Sequence, residues 1–111
     1  MLSYLSRFAT RAPSARVDER LRLNLPGYHG DASVRVYVES TDGRRGEVEP
    51  RIRLRISDCE DEISLWFELD CPGSRRNSLH KIATLLGALH RFEDALRAEA
   101  ELAARRDHTR P

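Results

Sequence analysis

Lysine is almost absent from this chain: Lys81 stands alone against 18 arginines. Arginine's planar fork suits bidentate contacts to carboxylate and phosphate, and it stacks on aromatic rings. GC-rich codon usage yields the same skew, which points to a high-GC bacterium or one of its phages. Aromatics are few, 6% of residues, with Trp66 the single tryptophan. Only two cysteines occur, Cys59 and Cys71, and they form no CxxC, so nothing suggests a disulfide-stapled secreted scaffold or a zinc-finger spacing. No apolar run approaches the ~20 residues of a membrane span. The N-terminus lacks the uninterrupted apolar core of a secretory signal. A cytoplasmic chain with no membrane partner is expected. Walker loop, HExxH, dinucleotide fingerprint and serine or cysteine nucleophile motif are all missing. The expectation is a non-enzymatic protein that needs no cofactor.

What is present is one domain's worth of sequence. At 111 residues, 40% hydrophobic and 33% charged, the composition is that of a globular domain. A chain of this size buries roughly two-thirds of its unfolded surface, so a self-sufficient core is feasible. The net charge is only +1, and any nucleic-acid binding must rest on a local patch.

Residues 1–16 hold three arginines, three serines and no acid. Leu2, Leu5, Phe8 and Ala9 share one helical face, a pattern compatible with a transit peptide. The same arginine–alanine flavour continues beyond any cleavage point, so a short amphipathic helix or arm ending before Pro13 is expected instead. A single domain over 17–104 and a polar tail over 105–111 follow.

Period-2 alternation dominates the first part of that domain. Leu21, Leu23 and Leu25 oppose Arg20, Arg22 and Asn24 up to the Pro26-Gly27 turn, with a helix through Val17, Leu21 and Leu25 as the competing reading. Val34, Val36 and Val38 oppose Arg35, Tyr37 and Glu39. The loop at 41–50 carries Asp42-Gly43, Gly46 and Pro50 as turn and edge markers. Ile52, Leu54 and Ile56 then oppose Arg51, Arg53 and Arg55, and Ile63, Leu65, Phe67 and Leu69 oppose Glu62, Ser64, Trp66, Glu68 and Asp70. The acidic link at 58–61 makes these two runs a hairpin, and only an even loop length keeps both apolar faces together.

After Pro72-Gly73 the period changes to 3.6. Leu79, Ile82, Leu85, Leu86, Leu89, Phe92 and Leu96 fall within an arc of about 140°, with Ser74, Asn77 or Ser78 as candidate N-caps. The predicted architecture is α+β: an antiparallel meander of three to four strands, one face packed by a long C-terminal helix and the other open.

Two surfaces are candidate sites. The open sheet face displays Arg35, Tyr37, Arg51, Arg53, Arg55 and Trp66, and arginines interleaved with aromatics on a sheet hold phosphates and stack bases. Glu39, Glu62, Glu68 and Asp70 share that face, so cross-strand ion pairs and cation–π contacts are the competing use. Four strands followed by a dimerising helix is similar in layout to single-stranded-DNA-binding transcription coactivators, a likeness with no motif behind it. The second surface is the helix start, where Arg75, Arg76, His80 and Lys81 could attract an anion to the dipole. A phosphatase-type cradle is excluded there. Cys-x5-Arg is required, position x5 from Cys71 is Asn77, and Pro72 deletes a donor the loop would use.

Cys59 at the hairpin tip and Cys71 past its far end are too distant for a disulfide. His80 and His90 lie ~15 Å apart along the helix and cannot share a metal ion. The expected function is a small regulatory module that engages a protein partner as a homodimer. The alternative is single-stranded nucleic-acid binding through the open face.

Overall fold

Four alternating segments pair in chain order to form one antiparallel sheet. The computed structural model describes residues 15–39 and 51–109. The strands are β1 (Ala15–Arg22), β2 (Ala32–Glu39), β3 (Ile52–Asp58) and β4 (Asp61–Trp66), in the order β1-β2-β3-β4. One helix follows, α1 (Pro72–Thr109). The fold is therefore α+β, a four-stranded antiparallel sheet with one long C-terminal helix. The expectations for the N-terminal helix or arm, for Pro13 and for the loop carrying Asp42-Gly43, Gly46 and Pro50 fall outside the described residues.

The register explains why these segments are strands. Leu21, Val34, Ile56 and Ile63 form one continuous row across all four strands, and Val36, Leu54 and Leu65 form the next. Each such cross-strand pair adds roughly 0.2–1 kcal/mol, and a slip of one residue would turn every one of them to the opposite face. Residues 17–22 are strand, as the alternation predicts, and not helix. β1 begins at Ala15, two residues before the expected domain start, with a bulge between Ala15 and Val17.

Turn chemistry closes the strands. Leu25, Pro26, Gly27 and Tyr28 make a type II turn: Gly27 takes φ +90° and the Tyr28 amide donates to the Leu25 carbonyl at 3.1 Å. The β3–β4 loop is Cys59-Glu60, two residues long and thus even, as the shared apolar face requires. Cys59 sits at φ 57°, a conformation that glycine favours. Its amide donates to the Asp31 carbonyl at 2.7 Å, which ties the hairpin tip to the β1–β2 connection.

Three expectations are corrected. β4 ends at Trp66, so Glu68 and Asp70 lie beyond the strand, and the Phe67 amide donates to the Ile52 carbonyl at 3.1 Å. The helix starts at Pro72, so the N-cap is Cys71 and not Ser74, Asn77 or Ser78. Proline suits the first helical position because its missing donor would be unpaired there anyway. At the other end α1 runs to Thr109, through the segment expected as a tail. No glycine or proline interrupts residues 88–109, and Arg106 and His108 in the last turn suit the helix dipole.

Burial is shallow. Among the described residues Ala32 is the only buried apolar side chain; Val34, Val36, Ile56 and Leu65 are half-buried, and Leu21 and Ile63 on the edge strands are exposed. A single sheet has a whole face that only a second layer can bury. Beyond Arg75 the helix forms a compact unit of its own. On it Leu79, Leu86, Leu89, Phe92 and Leu96 are all at least half exposed. At 1.5 Å per residue its 38 residues extend about 57 Å, whereas an eight-residue strand reaches only ~26 Å.

Candidate functional site

The polar face of the sheet is organised in rows set by the register. Asp18, Tyr37, Arg53 and Trp66 are successive cross-strand partners, and the next row is Arg20, Arg35, Arg55 and Ser64. Beyond it come Arg22, Ser33, Ser57 and Glu62. Successive rows are two residues apart along each strand, which is why alternation puts them on one face.

Charge and ring contacts link the rows. Arg35 donates to Asp18 Oδ1 from Nε at 3.3 Å and from Nη2 at 3.1 Å. Its guanidinium also lies 5.8 Å from the Tyr37 ring centre. Arg53 stands over its cross-strand partner Trp66 at 5.0 Å. Arg55 lies 3.6 Å from Glu62, and Glu62 also accepts from the Ser57 hydroxyl at 3.2 Å. All these groups are partly solvated, so each ion pair contributes no more than about 1 kcal/mol and each cation–π contact about 0.5–1 kcal/mol.

Five of the six sheet-face candidates come together. Arg35, Tyr37, Arg51, Arg53 and Trp66, with Asp18, line a shallow depression of about 430 Å3. Arg55 lies in a neighbouring one of about 140 Å3 with Arg20, Ser33, Arg35, Ser57 and Glu62. Asp18 and Arg20 were not among the sequence candidates. Alternation placed Arg20 on the polar side of its strand, but only the β1–β2 register sets it beside Arg35.

At the helix start the N-cap is an unusual capping box. The Ser74 amide donates to Cys71 Sγ at 3.4 Å, and the Cys71 amide donates to Ser74 Oγ at 3.0 Å. The Ser74 hydroxyl donates to Asp70 Oδ1 at 2.6 Å. The Ser74 side chain, then its backbone amide, hold the Cys71 thiol below its usual range, while the Asp70 carboxylate opposes them. Cys71 and Cys59 are both exposed free thiols.

The four basic residues expected at this end do not form one cluster. Arg75 folds back to donate to the Leu69 carbonyl at 3.0 Å. Arg76 and His80, four apart, share one side of α1, and Lys81 lies about 100° further round. His80 Nε2 is 3.3 Å from Thr84 Oγ1, a hydroxyl–imidazole pair on the exposed helix surface. Among the described residues no group of three or more histidine, cysteine, aspartate or glutamate side chains converges as a metal site would. Among the described residues no helix is long and apolar enough to cross a membrane.

Compared with known family models, with curated proteins and with solved structures, the chain matches none.

Proposed function

We propose that the chain is a non-enzymatic binding module that works as a homodimer paired through α1 and regulates a protein partner by occupying its surface. The observation that carries this reading is the exposed stripe on α1. Ile82, Leu85, Leu89, Phe92 and Leu96 follow one another at spacings of three, four, three and four, the seam that pairs one helix with another. Leu89, Phe92 and Leu96 are exposed to 50%, 64% and 56%. Apolar side chains in such a line, on a helix this long, gain most by meeting the same line on a second copy, because a two-fold axis makes one patch its own complement.

A partner protein has a separate surface to cover. The apolar sheet face leaves Leu21 and Ile63, on opposite edge strands, 50% and 57% exposed. Contiguous exposed apolar surface of this kind marks interaction sites. A non-enzymatic role fits a site made of two shallow, charged depressions. The test is sedimentation equilibrium over a wide range of protein concentration. A species of twice the chain mass that dissociates on dilution is expected, and a chain that stays monomeric at the highest concentration refutes the pairing.

A further inference from the structure

The register that aligns the strands also stacks like charges. Arg20, Arg35 and Arg55 are direct cross-strand partners on three adjacent strands, about 4.8 Å apart. Like charges directly opposite one another destabilise a sheet. Carboxylates relieve two of them, Asp18 at Arg35 and Glu62 at Arg55. Arg20 makes no ion pair or side-chain hydrogen bond with the described residues. The three arginines line the 140 Å3 depression together with Ser33, Ser57 and Glu62. Ser33 and Ser57 are partners in the adjoining row, so two hydroxyls stand beside three guanidiniums. The Ser33 hydroxyl has no hydrogen-bond partner among the described residues, and the Ser57 hydroxyl donates to Glu62. The depression thus has an excess of positive charge and of donors, held by a register that the apolar face dictates.

Along the same strands, two residues or ~6.6 Å away, lies the row that carries Tyr37 and Trp66. Trp66 is 50% exposed, and the larger depression opens beside it. We propose that the Arg20–Arg35–Arg55 depression binds the phosphate of a nucleotide unit whose base stacks against Trp66, which goes beyond the pairing of copies through α1. An oxyanion there offsets the mutual repulsion of the arginines and accepts from guanidinium and hydroxyl alike. A flat base is the group that an aromatic at the next row holds. Glu62 is the built-in competitor: it occupies Arg55 and Ser57, and an incoming phosphate must share them.

Trp66 is the only tryptophan, so its emission reads the site directly. The full chain is titrated with a thymidylate decamer, with the thymidine mononucleotide, with inorganic phosphate and with a poly-glutamate peptide, at several salt concentrations. The decamer is expected to quench Trp66, with log K falling against log salt at a slope of about −0.7 for the one phosphate held in the depression. Inorganic phosphate is expected to compete without quenching. Arg20→Gln should weaken binding about tenfold and flatten the salt dependence, and Arg20→Lys should recover part of both. Glu62→Gln should tighten binding several-fold by removing the competing charge. A decamer that binds more tightly than the mononucleotide identifies a strand as the ligand, and equal binding identifies a free nucleotide. The proposal is overturned if neither quenches Trp66, if Arg20→Gln binds as wild type does, or if the acidic peptide binds where nucleotides do not. Circular dichroism of the Arg20 variants checks that the sheet is retained.

Discussion

Replacing Leu89 with glutamate puts the α1 pairing to a quantitative test. Full burial of a leucine or phenylalanine side chain gains about 1.5–3 kcal/mol. Leu89 is 50% exposed, so pairing can remove only that exposed half from water, or about 0.75–1.5 kcal/mol per copy. A two-fold interface uses the residue twice, which makes the loss about 1.5–3 kcal/mol per dimer before the cost of setting two carboxylates against an apolar seam. At 1.4 kcal/mol per decade, the dissociation constant should rise by at least about tenfold. Glutamate is nearly as good a helix former as leucine, so α1 itself should survive the change. Sedimentation equilibrium on both proteins, with helicity checked in parallel, measures the shift. Glu101→Gln, on the polar side of the helix, serves as the control and should leave the mass distribution unchanged. Equal association of Leu89→Glu and wild type would refute the reasoning, because no seam containing Leu89 tolerates a pair of buried carboxylates.

Other outcomes follow from the turns and the cap. Gly30 adopts φ +91°, and a Cβ there would meet only Asn24 Nδ2 and Cys59 Sγ, both at an ordinary 3.6 Å. Gly30→Ala should therefore destabilise through the backbone alone, by about 1 kcal/mol or a few degrees in Tm. Cys59→Gly should raise Tm by a comparable or smaller amount, because it relieves a left-handed residue at the cost of extra chain entropy in the unfolded state; thermal melts that move in the same direction for both would contradict the strain argument. In a Cys59→Ser background, the pH midpoint for alkylation of Cys71 should lie below that of the unfolded chain and move upward in Ser74→Ala, which removes the hydroxyl that favours the thiolate. The sign of the linked stability is set by the lowered folded-state value. The thiolate's contribution is fully present above the unfolded thiol's pKa and is lost as pH falls through the folded one, so denaturant midpoints compared between neutral and alkaline pH should differ in that sense and differ less in Ser74→Ala.

The candidate site was partly legible. Arg35, Tyr37, Arg51, Arg53, Arg55 and Trp66 could be placed on one face by counting in twos, because the pleat puts alternate side chains on the same side. The N-cap at Cys71 was legible in principle, since proline at a first helical position marks the residue before it as the cap. Asp18 and Arg20 were out of reach. Both stand on β1, joined to β2 by a nine-residue connection whose length does not set the pairing, and a one-residue slip would have turned both away. The extent of β4 was overestimated for a related reason. Phe67 to Asp70 keep the alternation, yet the β3–β4 pairing ends at Arg53 and Trp66.

Neighbouring residues alone encoded the local elements: three to four strands from period two, a long helix from period 3.6, a turn at Pro26-Gly27, and two thiols too far apart to pair. These depend on the intrinsic geometry of short segments, which neighbouring residues encode. Only the tertiary structure decided which rows those strands make. It set Arg20 beside Arg35 and Arg55, Arg53 over Trp66, and Asp18 against Arg35, because cross-strand partners are chosen by the burial of the opposite, apolar face. The polar face inherits a register it did not select, and three aligned arginines are the result.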